Sequence, residues 1–158
     1  MLFHFKRYHS TIKSFTNKFP YDIKTAQLKG RTSRNLQLSN GLKVVLLSDP
    51  TTPIAGAALS IEAGSWMDGK CAGTAHFLEH MLFLGTKKFP GESDYERYIY
   101  DSNGSMNGYT ANDHSMYYFT SLAPKALDGA LDRFSRFFYE PIFNESCLTR
   151  EMNGTVIF

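Results

Sequence analysis

The sequence predicts an α+β fold, an antiparallel sheet packed with helices, on three observations. Five short runs, at residues 36–38, 42–47, 54–62, 105–111 and 114–121, have strand length and strand composition. Two of the joints between them, Asn40-Gly41 and Asn112-Asp113, read as hairpin turns. Apolar residues recur at helical spacing after Thr74 and again after Pro124. Strands and helices in this arrangement imply one antiparallel sheet with helices against it.

In chain order, Leu36-Gln37-Leu38 alternates, Asn40-Gly41 turns the chain, and residues 42–47 return as a strand broken by Ser48-Asp49-Pro50. The small-residue run 54–62 is expected to be a central strand. Gly64-Ser65-Trp66-Met67-Asp68-Gly69 is a loop leading to a helix with Thr74 as N-cap and Gly85 as its C′ residue. After the turn at residues 86–91, Ser93 and Glu96 form a capping box for a helix from Asp94 to about Asp101. Its apolar face is Tyr95, Tyr98 and Ile99, and Asn103-Gly104 ends it. Beyond the second hairpin, Pro124 takes a helix N1 position. There Ala126, Leu127, Ala130, Leu131, Phe134, Phe137 and Phe138 form a core stripe that Pro141 stops. A last helix follows the Asn144 N-cap and carries Arg150 and Glu151.

The helix after Thr74 holds the chemistry. At 100° per residue His76, Glu79, His80 and Phe83 share one wedge, and every other position from Ala75 to Leu84 is apolar. That pattern predicts a buried helix. Two His at i and i+4 can point at one metal ion, with the intervening Glu placed to take a proton from a metal-bound water. The spacing H-x-x-E-H also occurs among zinc-peptidase signatures. The competing reading is a pair of hydrogen-bonded core histidines. The apolar surroundings favour the metal, because two imidazoles and a carboxylate buried together need a common partner.

Composition narrows the field. Hydrophobic content of 42% and charged content of 20% suit a globular domain with a core. Cys71 and Cys147 provide neither a disulfide framework nor a C-x-x-C knuckle, and no run is long and apolar enough to span a membrane. Residues 1–21 contain Lys6, Arg7, Lys13 and Lys18 and no acid. That is the composition of a mitochondrial transit peptide, so a mitochondrial or cytoplasmic location is expected. Without those four, the 17 basic residues become 13 against 15 acidic ones, which does not suit a nucleic-acid-binding surface.

Four collinear blocks extend the His helix. They are residues 76–90, Asn107-Gly108-Tyr109-Thr110-Ala111, Leu131-Asp132-Arg133-Phe134, and residues 137–147 through Arg150-Glu151-Met152-Asn153. With them the chain resembles the inverted-motif zinc metallopeptidases of the pitrilysin/insulysin family, most closely the insulysin branch. The resemblance implies the first part of a peptidase domain over residues 22–158, acting on short unfolded peptides. It makes His76 and His80 zinc ligands, Glu79 the general base, and Asn107, Gly108, Tyr109 and Thr110 an edge strand that pairs with substrate main chain. The family has Ala where this chain has Gly108, which predicts a looser strand.

Two departures qualify the resemblance. The family's third ligand, a Glu two helical turns after the position of Glu151, corresponds to Phe158 here, and Asn153-Gly154 reads as a helix stop. The resemblance then makes Glu151 an acidic residue held near the metal behind its ligands, or a substitute ligand. The chain is expected to be an incomplete product, weak or inactive alone, needing the remainder of the enzyme or a partner subunit to complete a substrate chamber. The alternatives are a non-catalytic binding or scaffold domain of the same fold, and a plain zinc module. A plain zinc module would want four closed ligands and no Glu79.

Overall fold

The structure is a computed structural model that describes residues 30–154 and the short strand Lys13–Ser14. The rest of the basic segment 1–21, and Phe158, lie outside the described residues. The chain divides into two compact units, residues 1–52 and 53–158.

In the first unit, β1 (Lys13–Ser14), β2 (Thr32–Gln37) and β3 (Lys43–Ser48) form an antiparallel sheet with β2 in the middle. The hairpin between β2 and β3 is wider than Asn40-Gly41 alone predicts. Leu38 and Leu42 flank a three-residue loop, in which Gly41 donates to the Leu38 carbonyl and sits at φ +89°. That is a turn followed by a bulged glycine. The Asp49 carboxylate accepts from the Thr51 N–H and hydroxyl and from Arg31, and these bonds lower its pKa to about 2.

In the second unit, β4 (Ala55–Ile61), β5 (Ser105–Thr110) and β6 (Ser115–Leu122) form a separate antiparallel sheet in the order β4-β6-β5. The described strands therefore make two three-stranded sheets rather than one. The interruption falls at Asp49-Pro50 and Pro53, where prolines lack a ladder donor and Thr51 is turned onto Asp49. Nor is β4 central. Its small residues serve close approach instead: a Cβ on Gly56 would lie 2.8 Å from the Phe119 carbonyl, beside a register shift in the β4–β6 pairing. The central strand β6 buries Tyr117, Phe119 and Leu122.

Among the described residues four α-helices accompany this sheet: α1 (Thr74–Leu82), α2 (Asp94–Asp101), α3 (Leu127–Arg136) and α4 (Glu145–Gly154). Pro124 opens a 3-10 turn, Pro124–Ala126, that leads into α3. The core joins Tyr95 and Ile99 of α2, Ala130 and Phe134 of α3, Phe137 just beyond α3, and the buried face of β6. Its rings meet mostly edge to face, as between Tyr95 and Phe137 with centroids 4.8 Å apart. α3 ends at Arg136, well before Pro141, which instead bridges Thr86 across the loops that follow α1 and α3. Asn144 caps α4 as expected, its side-chain oxygen accepting from the Ser146 N–H, and both Asn153 and Gly154 are helical. No helix among the described residues is long and apolar enough to cross a membrane.

Phe137 is 2% exposed and packs against Phe83, Tyr95, Phe134 and Phe138. Phe137→Ala is expected to cost about 3–5 kcal/mol, measured by denaturant unfolding.

Candidate active site

Two of the predicted caps are replaced by other groups. Thr74 is the first helical residue of α1, and its hydroxyl donates back to the Cys71 carbonyl. The N-cap position is Gly73, at φ +86°, which has no side chain to cap with. Asp68 does the capping from the preceding loop, accepting from the N–H groups of Gly73 and Ala75 at 2.7 Å each. At the other end Phe83 is the C-cap, and Gly85, two residues later at φ +123°, turns the chain close to Pro90. The Ser93/Glu96 capping box likewise does not form. Asp94 bonds the Gly91 N–H instead, although α2 has the predicted bounds.

α1 is not buried on all sides. Glu79, Met81 and Leu82 are buried, whereas His76 and Leu78 are exposed and His80 is half-exposed. The buried side faces β5 and the aromatic core, and the imidazoles lie beside it, on the exposed margin of the same wedge. His76 and His80 present their Nε2 atoms to one another at 3.2 Å. The other nitrogen of His80, Nδ1, lies 3.2 Å from Glu151 Oε2 on α4. A carboxylate can only accept there, so in neutral His80 the proton sits on Nδ1 and Nε2 keeps its lone pair.

Glu79 is 7% exposed, and its Oε2 accepts a 2.6 Å hydrogen bond from the Thr110 hydroxyl on β5. Burial, and after it the Glu79 charge, pushes the Tyr117 phenol up to about 12. Gly108 lies beside Glu79: a Cβ there would sit 3.2 Å from both Glu79 Oε1 and the Phe83 ring. The pairing register runs through Gly108 opposite Tyr117 without a break, so the glycine leaves room beside the carboxylate while the strand keeps its ladder.

Within its sheet β5 is an edge. Ala111 donates to the His114 carbonyl in the hairpin, so the alternation of antiparallel bonding turns the N–H and C=O groups of Met106, Gly108 and Thr110 toward the open edge. The Gly108 N–H is bonded by the Asn107 side-chain oxygen at 2.9 Å. Tyr109 is exposed, with its hydroxyl 3.3 Å from His114 Nε2. The structure thus pairs His76 with His80, His80 with Glu151 and Glu79 with Thr110. Sequence reasoning missed Asp68 and the bond from Thr110 to Glu79, neither of which has a local sequence signal.

Comparison with known proteins gives the family and the fold. The sequence model of insulinase, peptidase family M16, matches residues 43–157. The chain is 50% identical over 125 residues to the insulin-degrading enzyme of Homo sapiens, covering 78% of this chain and 12% of that protein. It is 45% identical over 128 residues to a putative zinc protease of Schizosaccharomyces pombe, covering 80% of this chain and 13% of that one. The crystal structure of pitrilysin superposes with a TM-score of 0.80 at 30% identity, covering 90% of this chain and 15% of that one. The α+β sheet-and-helix frame is therefore one that a known peptidase structure shares. This chain belongs to the insulinase family, peptidase family M16, and spans roughly an eighth of the length of these two curated relatives.

The residues present suit a zinc ion in part. Zn–N bonds of about 2.0–2.1 Å at a tetrahedral angle hold two ligand nitrogens roughly 3.3 Å apart, close to the spacing of the two Nε2 atoms. Glu151 is on the wrong side of His80 to share that ion. Among the described residues no group of three His, Cys, Asp or Glu side chains converges.

Two measurements check the electrostatics. Thr110→Val leaves a buried carboxylate oxygen without its donor and is expected to cost about 1–3 kcal/mol, with a smaller loss in a Glu79→Gln background. Because Tyr117 ionises at about 12 in the folded chain against its ordinary 10, its stabilising contribution is full below pH 10. That contribution fades as pH rises through about 12, which ultraviolet phenolate titration alongside unfolding would follow.

Proposed function

We propose that the chain carries the catalytic part of a zinc-dependent metalloendopeptidase that hydrolyses short unfolded peptides. The observation that carries this reading is the convergence of His76 and His80 at 3.2 Å on the helix that holds Glu79 against β5. His76 and His80 would hold the zinc, and Glu151 would fix the ring of His80 through its far nitrogen. Bound zinc supplies Lewis acidity to a scissile carbonyl and acidity to water.

The remaining work falls to the chain's own side chains. Glu79 accepts the proton of the attacking water and returns it to the departing amine. Thr110 occupies Oε2, so Oε1, beside Gly108, is the oxygen left for that exchange. Met106, Gly108 and Thr110 offer main-chain groups to an extended peptide, which is recognised by its backbone more than by its side chains. Pairing of this kind excludes folded substrates and admits short or unfolded ones. A third protein ligand and the walls of a substrate chamber would come from the remainder of a longer enzyme or a partner subunit. The chain alone is then expected to be weak or inactive.

Cleavage of an unstructured peptide by the zinc-loaded chain, with Glu79→Gln as control, tests the reading. Loss of the general base is expected to slow cleavage by about 10²–10⁴-fold. Equal residual rates in both would remove catalysis and leave a non-catalytic binding domain of the same fold. The acid-free composition of residues 1–21 also supports a mitochondrial address, the alternative being the cytoplasm. A fluorescent protein carrying those residues should collect in mitochondria, and a diffuse signal would assign the cytoplasm.

A further inference from the structure

We propose that Asp68 is a positioning residue for the helix that holds the two imidazoles, acting by bridging the first turn of α1 with both carboxylate oxygens. The inference rests on the reading that His76 and His80 hold a metal. Oδ2 accepts from the Gly73 N–H and Oδ1 from the Ala75 N–H. Gly73 has no side chain, and the Thr74 hydroxyl is turned away to Cys71, so Asp68 provides the capping at this end.

α1 has only nine residues, and His76 is the third of them, in the turn that Asp68 holds. Short helices fray from their ends. Fraying here would carry His76 away from His80 Nε2, while His80 and Glu79 stay anchored by Glu151 and Thr110. Charge acts in the same direction. A helix N-terminus carries about half a positive charge, which disfavours a dication on a first-turn histidine, and the Asp68 carboxylate offsets it.

The loop that carries Asp68 is itself fixed. Ser65 donates its N–H to Ala111 and Trp66 to Asn112, at 3.0 and 2.9 Å, and Asp68 donates its own to Ser65. A Cβ on Gly64 would come within 2.3 Å of the Ala111 carbonyl, so only glycine allows the loop this close to the hairpin. Asp68 therefore ties the first turn of α1 to the tip of the same β5–β6 hairpin whose Thr110 holds Glu79. The helix is registered against the hairpin at two separate points.

The test is a Co²⁺ titration of the full chain, with hydrogen exchange at the Gly73 and Ala75 amides, for wild type, Asp68→Ala, Asp68→Asn and His76→Ala. Leu131→Ala, a core change on α3, controls for general loss of stability. Removing a residue that orients a metal ligand typically weakens binding about 10–100-fold, and Asp68→Ala is expected to fall in that range with faster exchange at both amides. Asp68→Asn keeps one acceptor and should fall between, and it carries the comparison if the alanine variant does not fold. Leu131→Ala should lower the melting temperature while leaving Co²⁺ affinity within about twofold, as for a distant independent site. Equal affinity in wild type and both Asp68 variants would overturn the proposal. Wild-type binding that His76→Ala does not weaken would instead overturn the metal reading beneath it.

Discussion

Taking a carboxylate out of water is costly unless hydrogen bonds replace those it loses. Glu79 is buried at the junction of α1, β5 and the aromatic core, and its compensation is the Thr110 hydroxyl on a neighbouring element. The bond works only if α1 lies over β5 in one rotation and one axial register. With those fixed, His76 and His80 fall on the exposed margin of the helix, Phe83 turns into the core against Tyr95, Tyr117 and Phe137, and Gly108 lies beside the free oxygen. A single buried charge thus constrains both the packing of α1 and the placement of β5 beneath it.

The core around that junction is aromatic and interlocked. Phe134 and Phe137 meet Tyr95 and Phe138, while Arg133 lies between the rings of Phe89 and Tyr98 at 4.1 and 3.9 Å. Rings that meet edge to face have few alternative packings of equal energy. Rigidity there holds the base of the site, because Phe83 is both the C-cap of α1 and a member of this cluster.

Much of this was legible in the sequence because it rests on periodicity. The bounds of α2, the Asn112-Asp113 hairpin, the stripe on α3 and the Asn144 cap all follow from residues a few positions apart. The approach of His76 to His80 on one helix was legible for the same reason, since the candidate residues His76, Glu79 and His80 lie within five residues. What escaped was settled across distance. Asp68 displaced Thr74 as the capping group because it reached the backbone donors of α1 from the preceding loop. Small residues in β4 suggested a central strand, but Gly56 answers to the backbone of β6 passing close by.

The bond from the Gly108 N–H to the Asn107 side chain has a consequence for chains in company. A sheet edge with free donors invites copies of the same strand to zip together. On β5 one outward donor is already engaged by its neighbour's amide, which is polar, small and able to swing aside on one side-chain rotation. Two identical edges meeting would each have to give up such a bond to gain the first rung of a ladder. The strand is in this way biased against aggregation with its own kind, while a single extended guest displaces just one amide.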